Sequence, residues 1–120
     1  MGEKNRVFFL VGYLVDQLTD GGVTGFYANP SAEYAPQLPA ALDTIGATAA
    51  AATVRELNAL FPGGAPAPAD PARWRQLEQL GKQLSKRGAA LERLLDERAG
   101  KGGGSLLLKR LYDYYHAEGN

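Results

Sequence analysis

A chain of 120 residues with 45% hydrophobic and 22% charged residues is sized for one globular domain around a single modest core. It has no cysteine, which excludes disulfides and thiolate metal sites, and its lone histidine, His116, argues against a histidine-based metal site; no cofactor or metal is expected, and a cytoplasmic home fits. Net charge is zero, yet residues 7–72 sum to −5 and residues 73–110 to +6, so the halves predict surfaces of opposite sign.

Val7, Leu10, Val11, Leu14, Val15 and Leu18 recur at helical spacing, which predicts an amphipathic helix over 6–19. The apolar run from Val7 to Val11 behind Lys4 and Arg6 has a faint look of a secretory signal. Gly12 and Tyr13 interrupt it, Asp16 and Asp20 follow, and no small-residue cleavage site comes after, so it reads as a core helix. No segment approaches the roughly 20 apolar residues of a membrane span, and no membrane contact is expected.

Asp20-Gly21-Gly22 predicts a helix stop, with a short helical turn through Val23, Phe26 and Tyr27 after it. Asn29-Pro30-Ser31 is the next break, because proline disfavours a helical residue before it. Ser31 is the natural N-cap of the next unit, with Glu33 and Tyr34 in the first turn. Pro36 and Pro39 predict an irregular start, and a regular helix only from about Pro39 to Ile45, ended by Gly46.

Thr48 is the expected cap of a further helix that points Val54, Leu57, Leu60 and Phe61 inward. Its alanine run favours helix and admits a close neighbour. Residues 62–69 read as an irregular connector. Asp70-Pro71 then starts a helix whose apolar face runs Trp74, Leu77, Leu80, Leu84, Leu91, Leu94 and Leu95. Gly81 and Gly88 lie beside that face; they either admit a neighbour or break the helix, with Ser85-Lys86-Arg87-Gly88 as a possible turn. Gly100 to Gly104 is a loop, and Ser105 caps a last helix carrying Leu107, Leu108, Leu111, Tyr112, Tyr114 and Tyr115. No segment alternates with period two, so the fold class is all-α, a single domain of five or six short helices.

Catalytic signals are thin. The loop Gly100-Lys101-Gly102-Gly103-Gly104-Ser105 opens a helix, but a phosphate loop places lysine and serine after its glycines, behind a strand. His116 with Asp113 and Glu118 sits at a fraying terminus, with no nucleophile marked by a motif. Asp96 and Glu97 point about 100° apart on a helix, and Arg93 with Glu97 reads as a routine surface pair.

Two charged surfaces carry more. Arg75, Lys82, Lys86 and Arg93 fall within about 40° of one azimuth on a continuous helix, a row that could contact phosphates. Glu78, Glu92 and Asp96 flank it, and no aromatic residue interleaves for base stacking. Asp16 and Asp20, four apart, with Glu33 and Asp43 in the next unit, could instead form an acidic face that attracts a basic partner. Phe26, Tyr27 and Tyr34 read as scaffold anchors, and Asn29 as a turn residue bonding its local backbone.

The run from Asp20 to Ala35, with Gly21-Gly22, the pair Phe26-Tyr27, then Asn29, Ser31, Glu33 and Tyr34, resembles the signature of the bacterial DNA-mimic protein domain family. Ala41-Leu42-Asp43-Thr44-Ile45-Gly46-Ala47, Leu60-Phe61-Pro62, Leu95-Asp96-Glu97 and Leu111-Tyr112-Asp113-Tyr114-Tyr115 resemble its later blocks in order, over about residues 14–116. Asp20 stands where the family pattern has asparagine, and Val23 where it has an aromatic residue. The family is named for a strongly acidic member held to imitate DNA phosphates and occupy a DNA-binding protein. The resemblance therefore implies a non-enzymatic helical module. Its acidic half would meet a basic protein partner: a DNA-binding regulator, or a nuclease or toxin held by an immunity-type inhibitor. Asp16, Asp20, Glu33 and Asp43 would supply the charge, and Gly21, Gly22, Phe26, Tyr27, Asn29, Ser31 and Tyr34 the scaffold. Nucleic-acid binding through Arg75, Lys82, Lys86 and Arg93 is the alternative, and the oligomeric state is not written in the sequence.

Overall fold

The structure, a computed structural model, describes residues 2–68, 70–100 and 104–117, without the side chains of Ser31 and Asp70. The caps expected from Ser31 and Asp70, Lys101 of the glycine loop, and Glu118 all lie outside the described residues.

Helix α1 spans Glu3–Ala28 and buries Val7, Leu10, Val11, Leu14, Val15 and Leu18, the stripe that the spacing predicts. It is longer than 6–19 because Gly22 deflects the chain without ending it. Gly22 takes φ 67° and ψ −168°, a conformation open in practice to glycine alone. Helical geometry resumes at Val23, whose free amide donates to Glu92 Oε2 at 3.2 Å. A carboxylate from a distant helix thus acts as the cap that the local sequence lacks.

Asn29, extended at φ −88° and ψ 169°, ends α1 where the proline signal places the break. Its side chain makes no cap bond to the segment that follows. Asn29 Nδ2 donates instead to Gln17 Oε1 at 2.9 Å, because the chain doubles back along α1. Pro30–Gln37 forms a 3-10 segment with Asn29 at its cap position. Helix α2, Leu38–Thr44, follows directly. Pro39 sits in its first turn, where a missing N–H costs no helical bond.

Helix α3 is Thr48–Ala59, with Ala47 at the cap position and no side-chain cap bond; Thr48 is its first residue and does not serve as the expected cap. Ala50 and Ala51 are buried, as are Val54, Leu57 and, just beyond, Phe61. A 3-10 turn at Pro62–Gly64 leads into the connector.

Helix α4, Asp70–Asp96, is continuous for 27 residues, so Gly88 does not split it. At 1.5 Å per residue it runs about 40 Å, close to the longest dimension of the molecule, 44 Å. Leu77, Leu84 and Leu91 are buried. Trp74 departs from the expected apolar face and is 57% exposed, while its neighbour Arg73 is buried. The guanidinium of Arg73 explains the exchange: it donates to the carbonyls of Ala67 and Pro68 and ties the connector to the first turn of α4.

Helix α5, Leu106–Tyr115, is capped by Ser105 as expected; its Oγ accepts from Leu108 N and donates to the Leu95 carbonyl at 2.8 Å. Around the glycine loop, Ala99 N donates to Gly104 O and Leu106 N to Glu97 O. All five helices enter one hydrophobic cluster, and α1 packs against α2, α4, α5 and the 3-10 segment. Among the described residues there is an isolated bridge between Arg98 and Ser105 and no strand, so the fold is all-α.

Candidate functional site

Phe26 and Tyr27 are both buried, with ring centroids 5.0 Å apart, and Tyr27 lies 5.0 Å from Phe61. The Tyr27 hydroxyl donates to Asn58 Oδ1 at 2.6 Å, and Asn58 Nδ2 donates to the Ala35 carbonyl at 2.8 Å. Burial pushes the Tyr27 phenol well above its ordinary pKa. This chain of bonds anchors the 3-10 segment to α1 and α3.

Tyr34 is different. It is half-buried and stands over the outer side of α1, with its ring 5.4 Å from Phe9 and 5.7 Å from Tyr13. Phe9 and Tyr13 are themselves 5.6 Å apart. The three rings form a cluster at the surface, where Phe9 stays 41% exposed. A hydrogen bond to Glu33 raises the Tyr34 pKa, with partial burial and the charge of Glu33 adding to the effect.

Asp16 lies one turn beyond Tyr13 and lines the same shallow groove on α1 as Phe9 and Tyr13. Asp20 comes one turn later and is exposed. Glu33, next to Tyr34, is exposed and lines a separate hollow with Pro30, Pro36, the connector and Arg73. Among the described residues, Asp16, Asp20 and Glu33 form no ion pair. Asp43 is placed otherwise. At the end of α2 it pairs with Arg55 of α3, which is the one base of residues 7–72. No local pattern signals that pair, since the two are twelve residues apart on separate helices.

Phe9 and Tyr13 are the surface residues that the helical stripe does not single out. A signal is nevertheless present: neither belongs to the stripe from Val7 to Leu18, so an aromatic residue at either place faces outward.

Arg75, Lys82, Lys86 and Arg93 are all exposed along the unbroken α4, and among the described residues none is in an ion pair. Glu92 is turned back to Val23 and Gly22. Arg93 and Glu97 do not pair; Glu97 lies past the end of α4. His116 stacks on Tyr112 with centroids 6.0 Å apart, while Asp113 is engaged by Lys109 at 2.6 Å, so His116 and Asp113 build no proton relay. Among the described residues no three His, Asp or Glu groups converge to hold a metal, and no helix is long and apolar enough to cross a membrane.

The blocks from Asp20 to Tyr115 thus occupy the Gly22 kink, the ring cluster, the α2–α3 corner and the closing helices of one core. A family model described as DMP19-like protein matches residues 1–118. The chain belongs to the DMP19-like family. This is the DNA-mimic family that its signature blocks resemble, and membership covers every element described above. No curated protein and no solved structure matches the DMP19-like chain.

Proposed function

We propose that this DMP19-like chain is a non-enzymatic protein-binding module whose acidic side docks a basic partner in the cytoplasm. The partner is a DNA-binding regulator, or a nuclease or toxin held in an inhibitor- or immunity-like complex. One observation carries the reading: among the described residues Asp16, Asp20 and Glu33 are exposed without ion pairs, and Asp16 lines the groove of Phe9 and Tyr13, on which Tyr34 packs. Unpaired carboxylates steer a cation toward them, and exposed aromatic area gives the encounter something to bury. Family membership supports the same direction, because a DNA mimic presents negative charge to a DNA-binding protein. The net charge of zero confines such mimicry to this side of the molecule. Asp43 contributes less than its position in the sequence suggests, since Arg55 offsets its charge.

The test begins with affinity capture of the partner from the native cell. Association kinetics are then measured with Asp16→Asn, Asp20→Asn and Glu33→Gln combined. The association rate should fall by about tenfold at low ionic strength, with a flatter salt dependence. Asp43→Asn should move it much less. Kinetics that ignore all four changes reject this reading.

A second reading, nucleic-acid binding along α4, rests on the alignment of Arg75, Lys82, Lys86 and Arg93 on one unbroken helix.

A further inference from the structure

The outer face of α1 carries a groove of about 380 Å³, lined by Asn5, Phe8, Phe9, Gly12, Tyr13 and Asp16. Gly12 leaves its floor open, since a Cβ there would meet no atom within 4 Å. One wall is formed by Phe9 and Tyr13, with Tyr34 packed against both. On the other side Phe8 packs against Tyr115 at 4.6 Å and Tyr112 at 5.8 Å, and the Tyr115 hydroxyl donates to Asn5 Oδ1 at 3.1 Å. The rings are thus held from both sides by α5 and the 3-10 segment. Asp16 is the one charged residue of the lining.

A flat, ring-walled groove with a single carboxylate does not suit every basic side chain equally. An ammonium is compact and strongly hydrated, and keeps its water in preference to an aromatic wall. A guanidinium is planar and weakly hydrated; it stacks on ring faces and can fork onto a carboxylate. We infer that this groove receives an arginine side chain from the basic partner, its guanidinium laid against Phe9 and Tyr13 with one edge on Asp16. The inference rests on the acidic-docking reading and deepens it by naming arginine, and not positive charge in general, as what is recognised.

Two peptides of equal length and charge serve as probes, one alternating arginine with glycine and one alternating lysine with glycine. Each is titrated calorimetrically into the full chain at low salt, with thermal unfolding as the check that every variant is folded. The arginine peptide should bind about fivefold more tightly than the lysine peptide, the size expected for one exposed guanidinium–ring contact. Phe9→Leu keeps the charge and much of the apolar volume and should abolish that preference. Tyr13→Leu should do the same, should Phe9→Leu fail to fold. Asp16→Asn should weaken both peptides. Equal affinity for the two peptides, or a preference that survives both ring substitutions, overturns the groove. If equal binding still falls with Asp16→Asn, the acidic docking surface stands and the arginine groove alone is lost. If neither peptide binds, both fall.

Discussion

Tyr27 links the core to the surface. Its hydroxyl and the amide of Asn58 satisfy one another inside the protein, and Asn58 passes the connection to the carbonyl of Ala35, next to Tyr34. Tyr27→Phe keeps the ring packing against Phe61 and strands the Oδ1 of Asn58. The cost should be about 1–3 kcal/mol in a urea titration near neutral pH, the penalty of a buried acceptor left without a donor. The alkaline limb offers an independent check. Burial raises the folded pKa of Tyr27 above its ordinary value of 10.0, so folding favours the neutral phenol. That contribution is complete below pH 10.0 and is lost as the pH climbs through the higher, folded value. The wild type should therefore lose stability between about pH 10 and 12 more steeply than Tyr27→Phe. An equal slope in both proteins assigns the alkaline loss to other groups. The burial of Phe26 and Tyr27 is legible from their place at helical spacing after a glycine break. The pairing of Asp43 with Arg55 is not, because it depends on how α2 turns into α3.

The crossing of α1 and α4 shows what a glycine in a helix is for. A Cβ at Gly88 would lie 2.8 Å from the Cβ and both Cγ atoms of Val23, so the missing side chain is what lets the two helices meet. Four residues on, Glu92 reaches the amide freed at the Gly22 kink. Thr24 and Ser85 sit 3.5 Å apart at the same crossing. Gly81 faces open space. The pair separates two effects that the sequence leaves equal. Gly81→Ala should stabilise the protein by about 0.5–1 kcal/mol through helix propensity alone. Gly88→Ala gains the same propensity but must displace a core valine, and should be net destabilising by about 1–3 kcal/mol. Chemical denaturation of the two variants decides it; a stabilised Gly88→Ala would mean that the helices are free to part. Local sequence reveals α1's buried stripe, a disturbance at Gly22 that proves a kink and not a stop, the break at Asn29-Pro30, and the start of α5. It fails wherever the deciding contact is far along the chain. Gly88 is ambiguous until Val23 is placed against it. The helical period points Trp74 inward, although Arg73 is the side chain that the connector's carbonyls draw in. Tyr34 reads as a core anchor in the sequence because its partners, Phe9 and Tyr13, lie more than twenty positions upstream.

At the scale of the whole molecule, the two charged surfaces make opposite demands, and one set of variants separates them. The protein measures 44 × 34 × 21 Å. At 0.01 M salt the screening length is about 30 Å, so the exposed bases of α4 act on anything approaching the acidic side. At 0.15 M it is about 8 Å, and the two surfaces become independent. If a basic protein docks on Asp16, Asp20 and Glu33, the row of Arg75, Lys82, Lys86 and Arg93 repels it during approach. Replacing those four by glutamine should then raise the association rate by about threefold at low salt, with no change near physiological salt and none in the dissociation rate. If α4 instead holds nucleic acid, the same substitution should abolish retention on DNA or RNA and flatten its salt dependence, because each lost phosphate contact removes a released counterion. Stopped-flow association with the captured partner and a nucleic-acid titration over the same salt series give results of opposite sign under the two readings. A faster partner encounter with no nucleic-acid retention leaves α4 as a solvated face that moderates docking. Lost retention with an unaltered encounter moves the functional surface from α1 to α4.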